Sequence, residues 1–235
     1  IGKDPKSSKL VNGAIIEKER VHPGMPSLVS NARIALLNSP LEIKNTEIDA
    51  KIQITSPDQL NSFLAQEERS LMDISEKIIS TGCNVLFCQK GIDELAQHFL
   101  AKAGILALRR VRKSDMEFLS KSTNAQIIND WKDLSSTHLG SATSVSEQKI
   151  DDSEYIFVEG CPNPKSLTLL VYGATPHIAE EVKRALVDAI GDLFTTIDCG
   201  KIVAGAGATE ILLSKKLLQY SNELDGREQL AVKAF

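Results

Sequence analysis

Few residues in this chain combine the type and the spacing that chemistry needs, and the main group lies in the last third. Gly205 and Gly207 flank Ala206 at the entry to an apolar-periodic segment that begins near Ala208. A Gly-x-Gly run opening a helix lets backbone approach a ligand closely, and a helix N-terminus favours anions, so phosphate or nucleotide contact is one reading. A plain tight turn is the other, because Gly200 and the two loop glycines do not complete a dinucleotide fingerprint. Asp188 shares a helix flank with Glu181, where an ordinary solvated carboxylate is the default reading.

The cysteines and histidines add no metal site. Cys83 and Cys88 flank the apolar run Asn84-Val85-Leu86-Phe87, Cys161 and Cys199 stand alone, and His22, His98, His138 and His177 are scattered. Neither pattern suits zinc ligation or a Cys-x-x-Cys redox pair, so free buried thiols are expected and metal ligands are not. The basic run Arg109-Arg110-Val111-Arg112-Lys113 reads as a solvated strand end. With 27 Lys and Arg against 31 Asp and Glu, the formal net charge of −4 gives no reason to expect nucleic acid or an anionic membrane. A hydrophobic share of 42% and a charged share of 25% describe a globular chain, and 235 residues allow one large or two modest domains. No apolar run approaches membrane-spanning length and no secretory signal opens the sequence, so a cytoplasmic location is expected. The sequence begins at Ile1 and stops at Phe235 without a helix stop signal, which reads as a piece of a larger protein.

The longest element runs from Ser56 to Gly82. Ser56 is a good N-cap, Pro57 suits the first helical position, Gln59 can close a capping box and Gly82 supplies the stop. About 24 residues at 1.5 Å each give a rod of roughly 36 Å, longer than a small domain is wide. Leu71, Ile74 and Ile78, with Ile79 beside them, form a core-facing stripe, whereas residues 65–70 are polar on nearly every face. Beyond that belt Leu60, Phe63 and Leu64 form a second apolar group. It fits either a surface that grips another chain or a satellite core under the preceding loop. Either way the helix tip is an appendage, reached by an extended arm in which Ile48, Ala50, Ile52 and Ile54 alternate.

Around it the chain reads as α/β. Residues 1–13 are a polar connector, 14–21 a loose strand, Arg33 to Leu37 a strand and Leu41 to Ile43 a second. Val85 to Cys88 is a strand, Ile92 to Ala103 a helix closed by Gly104, and Ile105 to Leu108 a strand. Ser114-Asp115-Met116-Glu117 has the form of a capping box opening a short helix, and Ala125 to Ile128 is the next strand. This alternation is the βαβ signature. Trp131 to Gln148 reads as surface loops, followed by strands over Tyr155 to Val158 and Leu167 to Val171. Strands on both sides of the α/β unit suggest a sheet sandwich with flanking helices. From Thr175 the character changes: Thr175 can cap a helix with Pro176 at its first position and a buried stripe of Ile178, Val182, Ala185, Ala189 and Leu193. A short strand-like segment, 200–203, precedes the glycine run and a last helix to about Tyr220.

From about Leu10 to Phe235 the chain resembles the group II chaperonins, and the archaeal thermosome subunits in particular. The resemblance rests on Glu17-Lys18-Glu19-Arg20-Val21-His22-Pro23-Gly24-Met25-Pro26, Ile54-Thr55-Ser56-Pro57-Asp58-Gln59-Leu60, Val85-Leu86-Phe87-Cys88-Gln89-Lys90-Gly91-Ile92-Asp93, Ala101-Lys102-Ala103-Gly104-Ile105 and Gly226-Arg227-Glu228-Gln229-Leu230-Ala231, in that order. It implies an apical substrate-binding domain over 9–163, with a helical protrusion near 43–75 acting as a built-in lid. Residues 1–8 would end a first intermediate segment, 164–203 form the returning intermediate domain, and 204–235 begin the returning equatorial domain.

The implied activity is that of an ATP-dependent chaperone subunit that binds unfolded polypeptide and closes its lid over a folding chamber, alongside sister subunits in a double ring. Asp188 matches the carboxylate that positions or activates the attacking water, and Gly205 and Gly207 match the nucleotide loop. The family usually carries three consecutive glycines there and often proline before them. Here Ala206 and Ala204 take those places, and the alanine methyl is expected to crowd nucleotide contacts. Tyr172 stands where many members have arginine. The family's early Gly-Asp-Gly-Thr-Thr phosphate segment occurs nowhere, so ATP and Mg belong to the full-length subunit and this piece alone is not expected to hydrolyse ATP. Polypeptide contacts are expected at Leu60, Phe63 and Leu64 and on the face Ile92, Leu95, Ala96 and Phe99. The rival readings are a stand-alone polypeptide-binding module without ATPase activity and a dinucleotide-dependent enzyme built on Gly205 and Gly207, which requires a sheet centred on the C-terminal third.

Overall fold

The computed structural model describes residues 4–42, 57–150, 153–161 and 167–235, with the helix backbone alone over 57–64. The chain divides into two units, Ile1–Ala174 and Thr175–Phe235. The first unit holds, in chain order, β1 (Lys9–Val11), β2 (Gly13–Glu17), β3 (Leu28–Leu37), α1 (Pro57–Ser80), β4 (Val85–Cys88), α2 (Glu94–Lys102), β5 (Leu106–Leu108), α3 (Lys113–Thr123), β6 (Ile127–Ile128), β7 (Gly140–Ile150), β8 (Ser153–Glu159) and β9 (Thr168–Leu170). The second holds α4 (Pro176–Cys199), α5 (Ala208–Ser221) and α6 (Gly226–Ala234).

The strands of the first unit form a mixed sheet of seven, along the path β2-β8-β7-β3-β4-β5 with β6 also on β3, and a separate antiparallel ribbon of β1 with β9. β4 and β6 pair parallel to β3, and β5 parallel to β4, as the βαβ alternation requires. The remaining pairs are antiparallel. β4 and β5 are apolar and buried at every position, the pattern of strands covered on both faces. Phe87, Leu36, Leu86, Leu100 and Leu106 are among the large side chains sealed in this core.

The two ends of the six-strand path are joined by backbone. The chain leaving β2 bends back so that the Val21 N–H donates to the Ala107 carbonyl on β5 at 3.2 Å. The Ala107 N–H donates to Met25 Sδ at 3.3 Å, and Met25 is buried over it. Arg20 holds this segment down: its Nε lies 3.2 Å from Glu147 Oε2, its backbone N–H donates to Glu147 Oε1 at 2.8 Å, and its Nη1 donates to the Met25 carbonyl at 2.9 Å. At the start of β2, Gly13 has φ +145° and a methyl there would collide with the Val158 carbonyl.

The long helix is present over 24 residues, with Leu71, Ile74 and Ile78 buried and residues 65–70 largely solvated. Ile79, expected beside the stripe, is 38% exposed, because it lies about 100° round the helix from Ile78. Ser75 takes the inward place, its hydroxyl donating to the Leu71 carbonyl at 2.8 Å. The Ser56 cap and the alternation from Ile48 to Ile54 lie outside the described residues, as does Ile43. Leu41 is no strand but a single parallel bridge to Ile92: its N–H donates to the Gly91 carbonyl at 3.0 Å and its carbonyl accepts from Asp93 N–H at 2.9 Å.

Other expectations need correction. The connector 1–13 contains β1, which pairs with β9. The stretch 131–148, expected to be surface loops, contains most of β7, whose hydroxyl side chains alternate with buried Ala142 and Val145 between β3 and β8. α3 begins at Lys113, with Arg112 in the cap position and no side-chain cap, so the Ser114 capping box does not form. Residues 200–203 form no strand. In α4 the Thr175 hydroxyl accepts from the Ile178 N–H at 3.3 Å with Pro176 following, as expected, yet no residue of the helix is buried. Cys83, Cys88 and Cys161 are buried free thiols; Cys199, expected with them, is exposed.

Phe87→Ala is expected to lower the unfolding free energy by about 3–5 kcal/mol, read as a lower urea midpoint, while Cys199→Ser shifts it by less than about 0.5 kcal/mol. Burial pushes the thiols of Cys83 and Cys161 up and that of Cys88 up to about 12, and the thiolate is the reactive form. A thiol reagent at about pH 8 is therefore expected to label Cys199 alone in the folded chain. Equal labelling of Cys88 would show that β4 is not sealed.

Candidate functional site

The first candidate surface is built on α2. Asp93 caps it, accepting from the Leu95 N–H at 2.9 Å, and the buried Gln97 amide donates to the Ile92 carbonyl at 2.7 Å, which fixes the first turn. Four expected contact residues then separate. Ile92 is 3% exposed and Ala96 fully buried, so both belong to the core and Ile92 is withdrawn as a contact. Leu95 is 46% exposed and Phe99, one turn on, half-buried. α1 packs against α2 and adds Met72, 45% exposed, and Ile79 two turns away. Leu60, Phe63 and Leu64 stand in the first turns of α1, and their side chains lie outside the described residues.

The sequence does not single out Met72 and Ile79 as surface residues, because a 3.6-residue period marks the buried stripe and not the apolar residues left outside it. Nor does it show that His22 and His98 meet edge to face, ring centroids 6.0 Å apart, beside Phe99. The Gly24 N–H donates to His22 Nδ1 at 3.0 Å, which holds the His22-Pro23-Gly24-Met25 turn against that end of α2. No signal in the sequence joins residues so far apart.

The basic run lies where a solvated strand end should: Val111 is buried and its four charged neighbours are exposed. Arg109 and Arg110 line a cleft of about 360 Å³ together with Glu17, Glu19 and Glu154. The Glu147 carboxylate beside Glu154 pushes the Glu154 carboxyl up. Charges of both signs face this cleft, which suits neither a nucleic-acid backbone nor a metal. Among the described residues no group of His, Cys, Asp and Glu could hold a metal ion. Among them also, no helix is long and apolar enough to cross a membrane.

The second candidate site lies in the other unit. Asp188 is exposed on α4 and makes no ion pair among the described residues, whereas Glu181 on the same flank holds Arg184 at 2.6 and 3.2 Å. Gly205, Ala206 and Gly207 form a turn in which the Ala208 N–H donates to the Gly205 carbonyl at 3.2 Å. Gly207, at φ 76°, is the N-cap of α5, and no side chain caps that helix. Ala208, the first residue of the helix, spends its N–H in the turn, and no side chain caps the amides that follow it. Among the described residues, 175–235 contain no strand and the last third only the end of β8 and the three-residue β9, so no sheet is centred there as a dinucleotide-dependent enzyme requires.

Three comparisons bear on these sites. The description of the TCP-1/cpn60 chaperonin family matches residues 1–235. The chain is 58% identical over 228 residues to thermosome subunit beta of Methanothermobacter thermautotrophicus, an alignment covering 97% of this chain and 42% of that one. It is 53% identical over 230 residues to a thermosome subunit of Methanopyrus kandleri, covering 98% and 42%. An open-state monomer of a group II chaperonin from Methanococcoides burtonii has a similar fold, with a TM-score of 0.73 at 39% identity over 99% of this chain and 52% of that one. The chain therefore spans less than half the length of the curated relatives it matches. With a mixed α/β fold shared with a solved group II chaperonin and a match along its whole length, the chain belongs to the TCP-1/cpn60 chaperonin family.

Proposed function

We propose that the chain is part of an ATP-dependent chaperonin subunit, in which residues 9–163 form the apical domain that captures non-native polypeptide. Residues 43–75 form the protrusion that closes over it, 1–8 and 164–203 belong to the intermediate domain, and 204–235 begin the returning equatorial domain. One structural observation carries the capture half of this reading. Two packed helices, α1 and α2, bury one side in the core and still leave Met72, Ile79, Leu95 and Phe99 at the surface. Apolar side chains left uncovered on packed helices suit exposed apolar segments of an unfolded chain. Leu60, Phe63 and Leu64, in the first turns of α1, are the second proposed contact group.

In the full-length subunit Gly205 and Gly207 bring backbone to the phosphates of ATP and Asp188 orients the attacking water, with Mg held by groups this chain does not contain. The unburied apolar stripe of α4 is the surface that the rest of the subunit covers. Sister subunits assemble into a double ring in the cytoplasm, and no nucleic acid or membrane takes part.

The test uses the full-length subunit and a denatured model protein prone to aggregate. Leu95→Ser with Phe99→Ser is expected to reduce suppression of aggregation several-fold, and Leu60, Phe63 and Leu64 to Ser to reduce it further. Suppression unaffected by either set removes the capture surface. Asp188→Ala is expected to slow ATP turnover by about 100-fold or more while leaving capture intact, and unchanged turnover removes its assigned role.

A further inference from the structure

Four charged residues of α4 fall on one line. Glu181, Arg184, Asp188 and Asp192 follow at intervals of three and four, so their side chains stand one above another along a single flank of the helix. The residues three or four places either side of Asp188 are Arg184, Ala185, Gly191 and Asp192, of which only Arg184 is a cation. At four places it is near enough to hold the Asp188 carboxylate. It is turned the other way. Its Nη2 donates to Glu181 Oε1 at 2.6 Å and its Nε to Glu181 Oε2 at 3.2 Å, a fork that spends one edge of the guanidinium on both oxygens of the glutamate. Asp188 is left without an ion pair among the described residues.

The Glu181–Arg184 pair adds little to the fold. Both side chains are more than half exposed, and an exposed pair on a helix contributes almost nothing to stability. Its consequence lies one turn further on. A guanidinium seated on Asp188 would occupy the oxygens that accept from a water and offset the negative charge that draws the water's protons. With Arg184 held on Glu181, those oxygens are free.

We propose that Glu181 is a positioning residue for Asp188: it holds Arg184 one turn back along α4 and so keeps the Asp188 carboxylate free to accept from the attacking water. The inference rests on the reading of Asp188 as the group that orients that water in ATP hydrolysis. It adds to that reading a residue that acts through the arginine and not on the water. Contacts to the nucleotide are untouched, so the effect falls on kcat and not on KM. Glu180, one turn before Arg184, is the other carboxylate of the helix in its reach, and the test therefore removes both glutamates.

The test is steady-state ATP hydrolysis by the full-length, assembled subunit as a function of pH. Glu180→Gln combined with Glu181→Gln leaves Asp188 as the one carboxylate of α4 within reach of Arg184. This double variant is expected to lower kcat by at least about twofold with KM for ATP unchanged. The acid limb of its pH–rate profile is expected to move to lower pH, because a guanidinium beside a carboxylate favours the charged form. Adding Arg184→Gln is expected to restore both kcat and the limb, which a purely structural role of the glutamates does not predict. Unchanged kcat in the double variant overturns the inference, and so does a loss that Arg184→Gln fails to restore. A raised KM at unchanged kcat overturns it in favour of glutamates that hold the nucleotide. Asp188→Ala separates the two readings. If it hydrolyses ATP as fast as the parent, the role of Asp188 falls and the inference with it; if it is slow while the double variant is unaltered, the role of Glu181 alone falls.

Discussion

The first unit depends on one seam, where the chain leaving β2 bonds to β5. A sheet with a free β5 edge would present a fully apolar strand and its unpaired backbone groups to water, a template for unwanted pairing. Val21 and Met25 cover that edge, and Arg20 holds them there through Glu147, whose side chain is only 9% exposed. A carboxylate so nearly buried is tolerable because Arg20 meets it with both a guanidinium and a backbone N–H. With the seam closed, the strands make a stiff support, and α1 and α2 can leave apolar side chains outside without the domain loosening.

Much of this architecture was legible because it is local. Pro57 at the first position of α1, the four-residue apolar run of β4 and the Thr175-Pro176 cap all act within a turn or two, and each element stands where its signal puts it. β7 was not legible for the opposite reason. Its Ser and Thr residues resemble a loop in isolation and become strand only when β3 and β8 pair on either side, a decision made by residues far away in sequence. The same holds for the seam, where a backbone bond links Val21 to Ala107.

The sites divide similarly. That α2 is amphipathic could be read from its spacing, but which edge of the apolar face stays outside depends on where the core ends, and Ile92 fell inside it. Asp188 looks like any solvated helix carboxylate in both sequence and structure, and only the family resemblance singles it out. The α4 stripe shows the limit of periodicity: a 3.6-residue pattern says that a face is meant to be covered, and not what covers it.

The bridge between Leu41 and Ile92 bears on how the appendage is mounted. The chain enters the arm from a residue bonded to both Gly91 and Asp93, at the very start of α2, and it returns through α1, which packs on that same helix. The arm thus has two footings and both stand on one beam. Any pull on Leu41 or on α1 is therefore passed to α2, the helix that carries the proposed capture surface.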